Sequence, residues 1–313
     1  MAYLRFSLNP WHPSDFGQLW FGALALRHGA DPYALVGPGL QYDWPWQLFY
    51  PVTSMVIALP LSFLPEMLAT FLFVAVSCGL LTYALTEQNW GRLPLLLSWP
   101  FVIAVTAGQW SPILTAAVIL PSLGWLWVAK PNIGVVILAA TSSARLLKIA
   151  LLGGALIFAA SVALFPNWPR EWLASLARQQ HMGAPIMRTG GILILLGLLR
   201  WRRAEARLIV ALACVPQTNN WYEGVPVLLA ASTFRESLFL SAISLLGYFI
   251  PPYVMTATNE SQFNAQVGAL MVAFCYMPAT LLVLRRPNEG EPPAWMSIVR
   301  KLRGAHLAAS PSR

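Results

Sequence analysis

The sequence predicts an all-α, polytopic membrane protein. Of its 313 residues, 57% are hydrophobic and only 10% are charged, whereas soluble chains are roughly 45–50% apolar and about 25% charged. Glycine and proline are frequent, but they lie inside apolar runs, which favours kinked and interrupted membrane helices over disorder. These observations exclude an ordinary soluble domain.

The charge balance is basic, with 20 Lys and Arg against 12 Asp and Glu and a formal net charge of +8. In a membrane protein such an excess is explained by cytoplasmic loops that fix orientation, so nucleic acid is not predicted as a partner. The three cysteines and four histidines are scattered and lack the spacing of a disulfide framework or a metal site. We therefore expect no metal cofactor.

Residues 1–46 are polar, aromatic and rich in proline, and they contain no apolar run of the about 20 residues that a membrane span requires. We predict a first loop on the extracytoplasmic side, with an amphipathic helix that begins near Phe16. A chain in this orientation would begin outside without a preceding span. We therefore expect an upstream transmembrane helix that this sequence does not contain.

The transmembrane helical domain is predicted over residues 47–284. Several of its apolar runs are shorter than the about 20 residues of a full span, and such pieces usually line an enclosed or wet cavity. We predict a bundle of about nine or ten transmembrane or half-membrane helices on this basis. The apolar runs are 47–64, 67–85, 94–107, 112–129, 132–141, 146–165, 189–199, 208–216, 224–232, 237–255 and 265–284.

The arginines between 200 and 207, and those at the start of segment 285–313, orient the chain because cytoplasmic loops collect cations. Segment 285–313 is then a basic cytoplasmic tail, which we expect to be mobile. Loop 166–188, an amphipathic interface segment with tryptophans on one side, and loop 217–223 lie outside. The predicted location is a bacterial inner membrane, with membrane lipid as a partner and the C-terminus in the cytoplasm.

Asp15 is the first candidate for chemistry. A carboxylate near the membrane surface among tryptophans can act as a general base toward a sugar hydroxyl. The alternative is that Ser14 or Asp15 simply caps the helix that follows. Asp31 lies in the same loop, before Pro32 and Tyr33, where an Asp-Pro pair also opens turns.

Three further polar residues lie at helix junctions of the predicted bundle. Lys130 could hold a lipid-linked phosphate as a point charge, or it could be a lysine that reaches from a helix end toward water. Gln109 could contact a ligand or cap an interrupted helix. Glu223 is the only acid in loop 217–223, and an ionisable group at membrane depth is a functional candidate.

Several short motifs follow one another in a characteristic order over roughly residues 14–230. This order resembles the family 87 glycosyltransferases, and it carries more weight than any single motif. The motifs are Asp15-Phe16, Gly22 to Leu26, Gly29-Ala30-Asp31-Pro32-Tyr33, Tyr50-Pro51, Leu59-Pro60-Leu61, Leu64-Pro65, Gly108-Gln109-Trp110, Lys130-Pro131, Trp168 to Trp172, and Gln217 to Tyr222 before Val225-Pro226.

The resemblance implies a GT-C fold and a sugar transfer, from a polyprenyl-phosphate donor to an extracytoplasmic lipid or glycan acceptor, with a mannose-like sugar. It implies Asp15 as the catalytic base. It also implies donor or substrate contacts for the remaining candidates, which are Asp31, Tyr33, Gln109, Lys130, Tyr222 and Glu223.

Two departures from the family pattern point to an alternative. The family normally has a transmembrane helix before the aspartate, and its late loop commonly carries a histidine where this chain reads Trp221-Tyr222-Glu223. A non-catalytic membrane subunit or scaffold derived from such an enzyme is therefore the second hypothesis. A transporter ranks last because the sequence has no internal inverted repeat.

Overall fold

The structure is a computed structural model that describes residues 14–178, 183–218, 221–250, 255–256, 258, 260–297 and 299. Among the described residues, 75% are helical and almost none are in strands, which confirms the all-helical class. Residues 1–13 of the predicted first loop and 300–313 of the predicted tail lie outside the described residues.

The helices are short and frequently interrupted. Two-residue strands, β1 (Val36–Gly37) and β2 (Tyr42–Asp43), pair in parallel within the first loop. The α-helices are α1 (Asp15–Arg27), α2 (Pro32–Leu35), α3 (Val52–Ala58), α4 (Glu66–Gln88), α5 (Trp99–Thr106), α6 (Ser111–Ile119), α7 (Pro131–Ala140), α8 (Ala144–Leu164), α9 (Trp168–Ala177), α10 (Ala204–Ala213), α11 (Phe234–Phe249), α12 (Glu260–Met271) and α13 (Met277–Leu284). The 3-10 helices are Leu59–Phe63, Trp90–Leu97, Pro121–Ala129, Pro185–Met187, Gly191–Arg200 and Tyr222–Ala230, and a π-helical turn, Val272–Tyr276, joins α12 to α13.

In the described part of the chain, three helical stretches are long and apolar enough to cross a membrane: Glu66–Gln88, Ala144–Leu164 and Ala265–Leu284. The first two bury only 33% and 28% of their most apolar window inside the protein, so most of their apolar surface faces outward, as lipid-facing helices require. Shorter apolar helices accompany them, including Val52–Phe63 and Gly191–Arg200, in agreement with the short runs seen in the sequence.

Helix α1, which the sequence predicted as an amphipathic helix of the first loop, is buried on most of its sides. Phe16, Leu19 and Ala23 are fully buried or nearly so, and α1 packs against α3 and the Leu59–Phe63 turn. The Trp20 indole donates to the carbonyl oxygens of Leu61 and Leu64, both at 3.2 Å. The helix is therefore part of the core, and its polar end is held in a fixed position.

Helices α7 and α10 pack together and run in opposite directions between two polar ends of the molecule. At one end, Asn132 Nδ2 donates to the carbonyl oxygen of Pro216 at 3.2 Å. At the other end, Arg207 Nε donates to the carbonyl oxygen of Ala140 at 2.9 Å. Each helix has ten residues and is therefore about 15 Å long, which separates the two ends.

The end at which Arg207 contacts Ala140 is here called the arginine end, and the opposite end is the network end. The arginine end also contacts the start of the C-terminal segment. The sequence predicted a mobile tail there, but the structure shows these residues packed. Arg207 donates to the carbonyl oxygen of Glu291 at 3.1 Å, and the Ala294 amide donates to the carbonyl oxygen of Thr141 at 2.8 Å. Ala294 is buried. Residues 285–297 therefore belong to the folded body.

Candidate functional site

A chain of hydrogen bonds links five side chains, here called the polar network: Asp15, Gln109, Lys130, Thr218 and Glu223. The Gln109 amide nitrogen donates to Asp15 Oδ2, and Gln109 Oε1 accepts from Lys130 Nζ at 3.1 Å. Lys130 Nζ also forms an ion pair with Glu223 Oε1 at 3.1 Å. Thr218 Oγ1 donates to Glu223 Oε2 at 2.9 Å. The network joins residues that are as far apart in sequence as 15 and 223.

The middle of the network is buried and its two ends are not. Asp15 and Thr218 are partly exposed, whereas Gln109 is 2% exposed and the side chains of Lys130 and Glu223 retain 11% and 0% of their accessible surface. Buried charges of this kind require a partner because transfer of an unpaired ion from water is very unfavourable. The pairing of Lys130 with Glu223 satisfies this requirement, and Asp15 and Thr218 are the members that remain partly exposed.

Tyr222 completes the enclosure of Lys130. The ammonium nitrogen lies 4.5 Å from the centre of the Tyr222 ring, a distance at which the electron-rich face of the ring attracts a cation. Tyr222 is itself 5% exposed. Lys130 is therefore surrounded by a ring, a carboxylate and an amide oxygen, which leaves it no exposed arm of the kind expected for a lysine that reaches toward water.

Four of the predicted site residues thus meet in one place with Asp15, and two do not join the hydrogen-bond chain. Asp31 Oδ1 accepts from the Tyr33 backbone amide at 2.9 Å and caps α2, as the turn alternative proposed. The Tyr33 hydroxyl donates to the carbonyl oxygen of Tyr50 at 2.9 Å. Asp31 and Tyr33 therefore support the loop that carries Tyr50.

Tyr50, in the loop before α3, is a site residue that the sequence reasoning did not select. Burial raises the pKa of the Tyr50 hydroxyl well above its ordinary value, and the charges of Asp15 and Glu223 raise it further, while a hydrogen bond with Gln109 acts in the opposite direction. Tyr50 therefore lies beside the network and stays protonated. Tyr50-Pro51 contributed to the family resemblance, and that motif was the available signal.

Four members of the network lie at the beginning of a helix or just before one. They are Asp15, Gln109, Lys130 and Glu223. Asp15 is the first residue of α1, Lys130 is the N-cap of α7, and Gln109 directly precedes Trp110, the N-cap of α6. Glu223 is the second residue of the 3-10 helix Tyr222–Ala230. Helix interruptions therefore determine where the polar side chains meet.

The junction before α6 depends on Gly108, which has a φ of +65°, a region that residues with a side chain rarely adopt. A Cβ atom at this position would lie 3.1 Å from the Cβ of Phe16. The Asp15 amide donates to the carbonyl oxygen of Ala107 at 2.8 Å. The turn thus brings Gln109 alongside the start of α1, where it meets Asp15.

The loop that carries Thr218 and Glu223 is held in place by a residue of the last apolar stretch, Ala265–Leu284. The Tyr276 hydroxyl, in the π-helical turn, donates to Gln217 Oε1 at 2.8 Å. The Gln217 backbone also pairs with that of Gly183 through two hydrogen bonds of 3.3 Å. π-Helical turns often occur at functional sites, and here the turn positions a hydroxyl that fixes the loop.

The arrangement combines the partly exposed Asp15 carboxylate with Lys130, a buried cation that is paired with Glu223. A carboxylate in this position can accept a proton from a bound hydroxyl group. Within the described part of the chain, no three His, Cys, Asp or Glu side chains lie close enough together to hold a metal ion. Comparison with protein-family models, with curated proteins and with solved structures finds no match for this chain.

Proposed function

We propose that this protein is an integral-membrane glycosyltransferase that moves a mannose-like sugar from a polyprenyl-phosphate donor to a lipid or glycan acceptor. The observation that carries the proposal is the polar network together with the Tyr222 ring, because five of the candidate residues selected from the sequence are adjacent in space. These are Asp15, Gln109, Lys130, Tyr222 and Glu223. Four of them are enclosed in the protein and one is accessible.

In the proposed reaction the Asp15 carboxylate takes the proton of the acceptor hydroxyl. The acceptor oxygen attacks the anomeric carbon of the sugar, and the bond between that carbon and the phosphate oxygen breaks, so that polyprenyl phosphate leaves with the bonding electron pair. Gln109 holds Asp15 in place through its amide nitrogen. The chain reads Trp221-Tyr222-Glu223 where the resembled family commonly carries a histidine after its tryptophan, so Tyr222 or Glu223 takes the place of that histidine, and Glu223 pairs with Lys130 at 3.1 Å.

The proposed topology follows the charge distribution. The arginine end, with Arg207 at its centre, is cytoplasmic because cations accumulate on that side. The network end, at the opposite ends of α7 and α10, is then extracytoplasmic, in a GT-C-like bundle of about nine or ten full or half-membrane helices. The C-terminus is cytoplasmic, and a bacterial inner membrane is the proposed location.

The test is transfer of radiolabelled sugar from polyprenyl-phosphate-mannose in membranes that contain the full chain. Asp15→Asn keeps the size of the side chain and removes its basicity, so transfer should fall by about 10²–10⁴-fold, the usual contribution of a general base. Asp43→Asn is the matched control, since Asp43 lies in the same loop, where its carboxylate accepts from the Gly39 amide at 2.8 Å. Full transfer by Asp15→Asn would remove Asp15 from the mechanism.

A non-catalytic membrane subunit is the second candidate, and one observation favours it. Lys130 is already engaged by Gln109, Glu223 and the Tyr222 ring, which is the saturation expected of a structural charge. Absence of transfer by the wild-type chain with this donor, together with a stable fold, would favour this alternative over the enzyme.

A further inference from the structure

Segment 46–50, which leads into α3, is held by side chains of other elements. It lies outside every helix and strand, and among the described residues it makes no backbone–backbone hydrogen bond. Each of its five consecutive carbonyl groups instead accepts a hydrogen bond from a side chain. Because the backbone groups of the segment are paired in this way, the elements that supply the donors determine where the segment lies.

The two ends of the segment are bonded to α1 and α2. The Gln18 amide nitrogen, in α1, donates to the carbonyl oxygens of residues 46 and 47 at 3.2 and 2.9 Å. The Tyr33 hydroxyl, in α2, donates to the carbonyl oxygen of Tyr50 at 2.9 Å. Both donors belong to the first loop, so they are close to the segment in sequence.

The middle of the segment is bonded to α9, which lies far along the chain. Ser175 Oγ donates to the carbonyl oxygen of Leu48 at 2.7 Å, and Trp172 Nε1 donates to that of Phe49 at 2.9 Å. These pairs are 127 and 123 residues apart in sequence. Ser175 is buried, whereas Leu173 of the same helix is 60% exposed, so α9 directs its inner side to the segment.

Helix α9 is itself attached to the membrane-spanning helix α8. The Trp168 ring lies 5.6 Å from the ring of Phe158 in α8 and 6.0 Å from the ring of Trp172. Trp168 is buried, yet its Nε1 has no hydrogen-bond partner among the described residues. The two tryptophans of α9 therefore differ, since only Trp172 is bonded to segment 46–50.

The last residue of the segment reaches the polar network. The Tyr50 side chain forms a hydrogen bond with Gln109, and Gln109 in turn donates to Asp15 and accepts from Lys130. A displacement of the segment would therefore move Tyr50 away from Gln109. The change would reach Asp15 through the Gln109 side chain.

We propose that Trp172 and Ser175 are positioning residues, which hold segment 46–50 so that Tyr50 stays against Gln109 and Asp15 keeps its orientation. A misplacement of about 1 Å at a reacting group can reduce a rate by about 10²-fold, so two hydrogen bonds remote from the chemistry can affect catalysis. The effect on sugar transfer rests on the proposed function, whereas the placement of Tyr50 does not.

The test compares two double variants of the full chain in detergent. Trp172→Phe with Ser175→Ala, here called the α9 variant, removes both donors to the middle of the segment. Trp168→Phe with Ser161→Ala is the matched control. It removes an indole nitrogen that has no partner among the described residues, and a buried hydroxyl that donates to carbonyl oxygens of its own helix.

The first readout does not depend on sugar transfer. The nine tyrosines are replaced by fluorotyrosine, and the Tyr50 resonance in the fluorine NMR spectrum is assigned with Tyr50→Phe. We expect the α9 variant to shift or broaden this resonance, and the control to leave it as in the wild type. A Tyr50 resonance that is unchanged in the α9 variant would overturn the proposal.

The second readout is the kinetics of sugar transfer. The α9 variant should lower kcat by about 10–100-fold and change KM for the donor by less than about threefold, because orientation of the base affects the chemical step. The control should stay within about twofold of the wild type in both constants. Equal losses of kcat in the two variants would indicate a general packing effect and reject the positioning role.

A milder pair of variants covers the case in which the α9 variant does not fold. Ser175→Ala alone keeps every aromatic ring and removes the donor to Leu48, and Ser161→Ala is then its control. The Tyr50 resonance should respond to Ser175→Ala and not to Ser161→Ala. The same response to both, or to neither, would overturn the proposal.

The positioning role and the proposed function fail separately. A wild type without sugar transfer, whose Tyr50 resonance responds only to the α9 variant, rejects the enzyme and supports the placement of Tyr50 by α9. Sugar transfer by the wild type, with equal kcat in the two double variants, supports the enzyme and rejects the positioning role.

Discussion

The two ends of helices α7 and α10 are polar in opposite ways. At the network end, several helices begin, and the side chains of their N-cap residues make no capping hydrogen bonds. A buried ion pair joins Lys130 to Glu223 there. At the arginine end, polypeptide carbonyl groups are covered by guanidinium groups. Arg207 donates to four carbonyl oxygens and to Ser142 Oγ, at 2.7–3.1 Å.

The difference shows which polar groups are already committed. Guanidinium groups satisfy carbonyl acceptors that a helix leaves unpaired at its C-terminus, which is a structural role. At the network end, the donors of helix starts are not covered by side-chain caps, and the buried charges lie beside them. The first arrangement stabilises the fold, and the second brings a buried ion pair and a partly exposed carboxylate together at helix starts.

The largest expected effect on stability comes from breaking the buried ion pair. Glu223→Leu alone leaves Lys130 as an uncompensated buried charge and should lower the free energy of unfolding by about 3–5 kcal/mol, whereas Lys130→Met with Glu223→Leu should recover most of this loss. Unfolding in mixed detergent micelles measures both. At the arginine end, Glu205→Gln breaks two ion pairs, with Arg203 and Arg286, whose side chains retain 15–23% of their surface, and should cost no more than about 1 kcal/mol for each pair. If Glu223→Leu and Glu205→Gln lowered the free energy of unfolding equally, the two ends would not differ in the way described.

The next effect tests the arginine end. Arg207→Ala removes five hydrogen bonds from a charged donor, each worth about 1.5–3 kcal/mol in favourable cases, although water can replace some of them. We expect a loss of about 3 kcal/mol and release of residues 285–297, detected as faster proteolysis of the C-terminal segment. Arg235→Ala, at an exposed arginine, should change stability by less than about 0.5 kcal/mol.

A smaller effect concerns the anchor of the network loop. Tyr276→Phe leaves the buried Gln217 Oε1 without its donor, which should cost about 1–3 kcal/mol. Amide hydrogen exchange should rise in residues 217–223 and not at the arginine end. Tyr248→Phe is the control, because the Tyr248 ring stacks on Trp99 at 3.8 Å and 46% of the residue is exposed. A uniform rise in exchange would contradict a local anchor.

The smallest expected effect is a pH dependence at the arginine end. Burial alone would raise the pKa of Glu205 and of Glu236, but hydrogen bonds and the charge of Arg286 outweigh it and lower both below 4.5. Carboxylates with a lowered pKa stabilise the fold above the pKa of the unfolded chain, and this contribution is lost as the pH falls through the lowered values. The melting temperature should therefore decrease as the pH is lowered below about 4.5.

Arg286→Gln sharpens this prediction. Arg286 contacts Glu205 at 3.2 Å and Glu236 at 2.7 Å, so the variant should melt lower than the wild type at about pH 7 and approach it as the pH falls toward about 3. A difference between the two proteins that stays constant over this range would show that these pairs are not the source of the acid sensitivity.

The site was predictable to the extent that its residues are chemically unusual. Asp15, Lys130 and Glu223 are charges in an apolar chain, and an ionisable group at membrane depth attracts attention without any structure. Tyr50 gave no such signal, because tyrosine is an ordinary residue near membranes. Its significance depends on its position beside Asp15, Gln109 and Glu223, which is a property of the packed structure.

The sequence by itself determined the all-helical class, the apolar stretches that are long enough to cross a membrane and the short interrupted helices, because hydrophobic composition and the positions of proline and glycine act locally along the chain. It also singled out most of the ionisable groups of the network. Only the tertiary structure decided that α1 is a core helix, that residues 285–297 are packed, and that four helix starts meet at Asp15, Gln109, Lys130 and Glu223. Those outcomes depend on contacts between segments up to about two hundred residues apart, and local propensity carries no information about which segments will pack together.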